Sequence, residues 1–176
     1  METVRAVHAR VQGTAPNGRP YSATDPHLLR WVHIAEVDSF LSAHRTFGAI
    51  TLTADEEDRY VADVAIVAER LGADRVPHSM ALRAALDEYG PELRSTRECR
   101  SAARYLAFPP GLSAPERVGY APVFAGAVGL LPLRARILLG ILPWLPLTER
   151  FVVRPATATA LGLGRWSRPM PPNVVD

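Results

Sequence analysis

Apolar residues recur every three to four positions along most of the chain, a spacing that is typical of amphipathic α-helices. Alternation of apolar and polar residues, which would indicate a half-buried strand, never persists long enough to predict a sheet. We therefore predict an all-α fold, an orthogonal multi-helix domain over residues 1–165. A flexible tail should follow over residues 166–176.

The amino-terminal pattern predicts one helix and one turn. Residues 3–12 should form the end of a helix, which stops at Gly13. The next segment, TAPNGRPYSA, contains Asn17-Gly18 and two prolines. These residues favour a turn or a short hairpin-like excursion.

Capping signals mark the later helices. Thr24 or Asp25 should cap the second helix, with Pro26 at its first position, where a missing N–H costs nothing. The spacing from Thr53 to Glu56 is that of a capping box. The predicted helices run from the first cap to about Phe47, from Thr53 to about Leu71, from about Ser79 to before Gly90, from about Ser95 to Phe108 and, as three shorter apolar helices, from Ala114 onward.

The composition fits one globular domain with a sizeable core. The 176 residues are 48% hydrophobic, and the formal net charge is +2. The basic residues are all arginines, spread along the chain, so they form no electrostatic footprint for nucleic acid. Cys99 is the one cysteine, which rules out an internal disulfide and fits a reducing compartment.

The distribution of apolar runs bears on localisation. Residues 1–12 carry charges and lack the apolar core of a signal peptide, so we expect a cytoplasmic protein. Two prolines and two arginines divide the apolar segment 123–147 into runs shorter than the roughly 20 residues that a membrane span requires. We expect buried or interfacial helices there, which leaves a peripheral membrane contact open.

His8 is the first candidate for chemistry. Val4, Val7 and Val11 follow the spacing of one helix face, which should be buried, and His8 lies beside this face. Its imidazole should therefore point inward, with Arg5 one turn earlier and able to reach the same side. An inward histidine usually hydrogen bonds within a core, and ligation of a metal is the alternative.

The second predicted helix carries further polar residues on largely apolar faces. His33, Glu36, Phe40 and His44 lie along one face at steps of three or four residues. Asp38 lies on another side and needs a partner if it is buried. This pattern predicts either a satisfied polar network that fixes helix positions or part of a cofactor pocket.

Several familiar chemistries lack their motifs. The histidines form no pair of zinc ligands at i and i+4, and Cys99 has no cysteine partner. The chain contains no G-x-S-x-G motif, no P-loop and no dinucleotide-binding glycine fingerprint. Nucleophilic hydrolysis, nucleotide hydrolysis and Rossmann-type cofactors therefore have no support.

Several blocks nevertheless occur in a specific order along nearly the whole chain. They are R-x-x-H-x-x-V-x-G, G-R-P-Y-S-A-x-D-P-x-L-L-x-W-V-H, S-F-L-x-A-x-R-x-F-G, L-T-x-x-E-x-D-R-Y, L-G-A and L-L-P-L-R. In this order they resemble the oxygenase family of the latex-clearing rubber oxygenase and the fungal oxygenase MpaB. The resemblance implies an all-helical protein that holds haem b and uses dioxygen to cleave carbon–carbon double bonds of a hydrophobic, isoprenoid-like substrate.

The resemblance also implies roles for three residues. His8 matches the proximal ligand of the haem iron, and Arg5 matches the arginine one turn before it, a cation suited to a haem propionate. His33 matches the histidine of the W-V-H block, a supporting polar group near the haem pocket. No catalytic residue is assigned.

The chain departs from the family ahead of His8. Family members carry an R-L-R/K-x-T-type motif there, which supplies the distal side of the haem, whereas seven residues precede His8 and Arg134 and Arg136 come too late. We therefore expect a truncated domain with an exposed apolar face or a second copy paired to it. A haem-binding protein without catalysis and a non-enzymatic helical interaction module remain as alternatives.

Overall fold

The computed structural model describes residues 2–73, 79–141 and 146–166. Helices dominate these residues, with one short hairpin among them, and this confirms the predicted all-α class. The chain divides into two compact units, Met1–Arg94 and Ser95–Asp176.

The first unit begins with a short helix and a hairpin. Helix α1 (Glu2–His8) is followed by β1 (Gln12–Thr14) and β2 (Pro20–Ser22), which pair antiparallel. Gly18 closes the hairpin with a φ of 82°, a left-handed conformation that glycine adopts without steric cost. The hairpin-like excursion predicted for TAPNGRPYSA is confirmed.

The predicted extent of the first helix is wrong. We expected a helix over residues 3–12, but α1 ends at His8 and Gly13 lies in a strand opposite Tyr21. A Cβ at Gly13 would lie 2.8 Å from the Tyr21 hydroxyl oxygen, so the Tyr21 ring covers this glycine. The chain leaves the helix because residues 12–14 take their hydrogen bonds from the returning strand.

Three helices form the rest of the described part of the first unit. They are α2 (Pro26–Phe47), α3 (Ala54–Leu71) and α4 (Ser79–Glu88), which confirms the predicted starts and ends. Asp25 caps α2 by accepting a hydrogen bond from a backbone N–H, and Thr53 begins α3 with the predicted capping box. Side-chain acceptors thus satisfy N–H groups that have no partner inside the helix.

The core of this unit lies where α2 packs against α3 and α4. Its buried side chains come from all three helices and from the residue after α4: Ile34, Val37, Leu41, Val61, Leu82, Ala85 and Tyr89. Spacings of three and four residues on α2 produce this face, as the sequence pattern indicates.

The described residues of the second unit form helices and connecting segments. The helices are α5 (Arg97–Ala107), α6 (Ala114–Leu130), α7 (Leu133–Leu138), α8 (Pro146–Thr148), a π-helical turn (Glu149–Val153) and α9 (Arg154–Trp166), of which the last three are continuous. The helix predicted for residues 95–108 is confirmed as α5, with Thr96 as its cap. The predicted tail lies outside the described residues after Trp166.

No single helix in the described ranges has both the length and the apolar character needed to cross a membrane. The bent pair formed by α6 and Leu133–Leu139 passes that test jointly, with an angle of 119° between its two parts.

Arg136, one of the arginines that interrupt the apolar segment, is buried. Its guanidinium donates to Glu149 at 3.1 Å and to the backbone oxygen of Leu131 at 2.9 Å, and it also bonds the Gly129 carbonyl. A buried cation must be paired and hydrogen bonded to be tolerated, and these contacts meet that requirement. They tie α7 to the π-helical turn.

Helices α6 and α9 approach closely at Gly126. The Thr157 hydroxyl is buried and lies 2.6 Å from the carbonyl oxygen of Pro122 and 2.8 Å from that of Val153. A Cβ at Gly126 would lie 2.5 Å from two atoms of the Thr157 side chain. Glycine is therefore required here because the two helices leave no room for a methyl group.

Gly126→Ala is expected to lower the free energy of unfolding by about 1–3 kcal/mol, because the new methyl group must displace Thr157 from its hydrogen bonds. Gly119→Ala on the same helix is the matched control, since a Cβ there meets nothing within 4 Å. It should raise stability by about 0.5–1 kcal/mol. Urea unfolding monitored by circular dichroism measures both; equal effects of the two substitutions would contradict the close approach.

Candidate functional site

The valine face of α1 is not buried, contrary to the sequence prediction. Val4 and Val7 on α1 are 41% and 52% exposed, Val11, which follows the helix, is 45% exposed, and no residue of α1 is buried. A seven-residue helix beside a hairpin covers little surface, so its apolar residues stay open to solvent. Apolar surface is therefore available to a ligand or partner on this helix.

His8 lies at the end of α1 and is half-buried, whereas Arg5, one turn earlier, is exposed. The side chains of both residues make no hydrogen bond or ion pair to any other described residue. The imidazole and the guanidinium are therefore available to bind a ligand, as far as the described part of the chain is concerned. A histidine nitrogen in this condition can coordinate a metal, and an arginine can bind a carboxylate.

His33 lies on α2 and is less accessible to solvent than His8. It is buried, and its Nε2 has no hydrogen-bond partner among the described atoms. Burial lowers the pKa of His33 because the charged imidazolium loses its hydration, and the nearby carboxylate of Glu36 opposes this effect. The neutral ring is therefore favoured, and its Nε2 can interact with a ligand or a donor outside the described residues.

Asp38, on another side of α2, has the partner that the sequence analysis required. Arg83 of α4 lies 3.2 Å from its carboxylate. Burial still raises the pKa of Asp38, and the positive charges of Arg83 and Arg45 reduce the increase. The Asp38 carboxylate is therefore part of the contact between α2 and α4. This agrees with the first alternative from the sequence, a polar network that fixes helix positions.

A second ion pair joins the end of α2 to α3. Arg45 donates two hydrogen bonds to the buried carboxylate of Glu57, and these bonds hold the pKa of Glu57 below its usual value. The sequence did not predict this pair. The spacing of the two residues could not reveal it, because the loop after α2 determines where α3 crosses.

His44, which the sequence placed on the candidate pocket face of α2 together with Phe40, borders a small cavity. The cavity has a volume of about 190 Å³ and is lined by Phe40, Leu41, His44, Leu52 and Tyr60. His44 Nε2 is buried without a hydrogen-bond partner among the described atoms, and burial raises the pKa of Tyr60. The sequence signal for this position is the separation of eleven residues between His33 and His44. It equals about three helical turns and therefore places both histidines on one face of α2.

The structure brings the predicted residues together only in part. His33 and Glu36 lie close enough for the carboxylate to act on the imidazole, as predicted. No hydrogen bond or ion pair among the described residues links His8 to Arg5 or to His33. The same residues contain no group of three or more histidine, cysteine, aspartate or glutamate side chains that could hold a metal ion.

Comparison with known proteins yields one match. The family model described as ER-bound oxygenase mpaB/B′/Rubber oxygenase, catalytic domain, matches residues 1–163. Neither the curated proteins nor the solved structures gave a match. The match covers most of the chain, including His8, Arg5 and His33.

The lowered pKa of His33 predicts a dependence of stability on pH. As the pH falls through the ordinary histidine value of 6.5, the unfolded chain takes up a proton at this residue before the folded chain does. The free energy of unfolding should therefore be highest above that pH and decrease below it. His33→Leu should reduce this decrease, as measured by urea unfolding at about pH 8 and pH 5.

The comparison at about pH 8 is the control, because the imidazole is neutral there in both states and only packing differs between the two proteins. An unchanged difference between the two pH values in the variant would show that His33 does not titrate differently on folding.

Proposed function

The chain belongs to the mpaB and rubber oxygenase catalytic-domain family, and on this basis we propose that it is a haem b-dependent oxygenase acting on a hydrophobic, isoprenoid-like substrate. The family assignment gives the general oxygenase role, with dioxygen and a small molecule as substrates. The observation that carries the finer proposal is the uncommitted imidazole of His8 on a helix with exposed apolar side chains.

The residues of α1 fit a haem. The porphyrin ring is flat and apolar with two anionic propionates, so its site needs a nitrogen ligand, apolar contacts and a cation. His8 offers the nitrogen, Val4 and Val7 offer exposed apolar surface, and Arg5 offers a guanidinium without an internal partner among the described residues. Covering these valines would also remove apolar surface from water.

Each residue would have a distinct role. His8 would coordinate the iron, and Arg5 would donate hydrogen bonds to a propionate carboxylate. His33, neutral and buried with a free Nε2, would serve as a polar group in an otherwise apolar pocket. When bound, haem supplies the ferrous iron at which dioxygen is activated.

The overall reaction is balanced without an external reductant. The double bond of the alkene breaks, both atoms of dioxygen enter the products, and each former alkene carbon becomes a carbonyl carbon. The side chains of the protein then have three tasks: they hold the cofactor, orient the alkene and exclude water. None of the described residues is required to act as a nucleophile.

A second candidate is a helical interaction module without enzymatic activity. The exposure of Val4, Val7 and Val11 favours it, because another protein surface could cover these side chains equally well. A haem-binding protein that has lost catalysis is intermediate between the two candidates. Haem binding and product formation distinguish these cases.

The test is an absorption spectrum of protein produced with a haem precursor supplied. The intact chain should show a Soret band, and His8→Ala should lose it because the iron loses its ligand. Arg5→Gln should retain the band but release haem more readily, with an affinity about tenfold lower. Oxygen consumption with a polyprenoid substrate, together with carbonyl products, tests the reaction itself.

His27→Ala is the matched control. This histidine is exposed on α2 and its Nε2 lies 3.0 Å from the Glu92 carboxylate, so its replacement should leave the Soret band unchanged. Loss of the band in both variants, or its retention in His8→Ala, would refute the assignment of His8. A haem-free protein of larger than monomeric mass would favour the interaction module.

A further inference from the structure

The second unit contains a groove between α5 and α6 that no assigned role uses. Its volume is about 600 Å³, within the range of small-molecule binding sites. Small apolar side chains of the two helices form much of its wall: Ala103, Ala107, Ala121 and Ala125. Phe108, Phe124 and Val128 add larger apolar surface, and the residues after α7 complete the lining.

The spacing of the alanines explains why the groove exists. On each helix two alanines are four residues apart and therefore lie on the same side. Small residues can let helices approach closely, but α5 has no buried residue, so here they leave open space instead. The Tyr120 hydroxyl donates to the Leu106 carbonyl at 2.6 Å, which attaches the end of α5 to α6.

The groove is apolar but its charged lining residues are both arginines, Arg100 and Arg104, one turn apart on α5. Arg100 donates to the backbone and hydroxyl oxygens of Ser95. The Arg104 guanidinium makes no hydrogen bond or ion pair with any other described residue. None of the described residues that line the groove carries a carboxylate, so they do not compensate its positive charge.

We propose that this groove binds a long-chain carboxylic acid, with the apolar chain along the alanines and phenylalanines and the carboxylate on Arg104. Such a ligand supplies the missing negative charge and covers the apolar wall at the same time. A neutral long-chain ligand would cover the apolar wall but leave the Arg104 guanidinium without a partner. A carboxylate and an arginine form paired, charge-assisted hydrogen bonds, which fixes the orientation of the ligand.

The proposal does not depend on haem. Arg104 and His8 belong to different units of the chain, so a substitution in the groove and a substitution of the iron ligand can be tested separately. Loss of the Soret band in His8→Ala and weaker acid binding in Arg104→Gln are independent results.

The test uses a fluorescent long-chain fatty acid, at a concentration at which it is monomeric, titrated into the full chain. Binding should saturate at one ligand per chain, and palmitate should displace the probe more effectively than the alcohol of the same length. Arg104→Gln should weaken binding of the acid about tenfold, the loss expected for one charged hydrogen bond, and should leave the weaker binding of the alcohol unchanged.

Two matched pairs of variants separate the groove from general effects. Arg97→Gln makes the same change of charge on α5 outside the groove lining and should leave binding unchanged. Ala121→Phe should fill the groove and abolish binding, whereas Ala127→Phe, at an exposed position of α6 outside the lining, should not. Circular dichroism of each variant confirms that the helices are retained.

Other outcomes would overturn the proposal. Equal affinity for the acid and the alcohol would show that Arg104 does not bind the carboxylate. Binding to anionic phospholipid vesicles without binding of the monomeric acid would identify the surface as a membrane contact. A dimer that Ala121→Phe dissociates, in protein that binds no acid, would identify the groove as an interface between copies of the chain.

Discussion

The first unit depends on the burial of one face of α2 against α3 and α4. Ile34, Val37 and Leu41 are almost completely removed from water, and this burial holds the three helices together. The same packing removes water from the polar side chains that lie beside these residues. Burial lowers the pKa of His33 and outweighs the opposing charge of Glu36, whereas Asp38 lies next to Arg83.

Both units pair their buried charged side chains in ion pairs, but the surfaces that they leave available for binding differ. Arg45 with Glu57 in the first unit and Arg136 with Glu149 in the second are ion pairs in which at least one partner is buried. Each pair attaches one helix to another element and leaves few hydrogen bonds unsatisfied. Among the described residues, His8 and Arg5 on α1 and Arg104 in the groove along α5 make no such internal contacts, and both proposals concern these residues.

The nature of the two surfaces also explains why each suits an apolar ligand with a polar end. On α1, exposed valines lie beside His8 and Arg5. Along α5, alanines lie beside Arg104. Apolar contact supplies most of the binding free energy in such sites, and the few polar groups determine which ligand is accepted and how it is oriented.

The sequence by itself determined the helical class, the cap at Thr53, a cap of α2 at Thr24 or Asp25 and a turn or hairpin-like excursion before it, because these depend on residues within a few positions of one another. It also carried the ordered motifs that identify the family. Only the tertiary structure decided that the valines of α1 are exposed, that His44 borders a cavity and that Arg104 flanks an apolar groove. Exposure and cavities depend on which distant segment covers a surface, and periodicity along one helix does not contain that information.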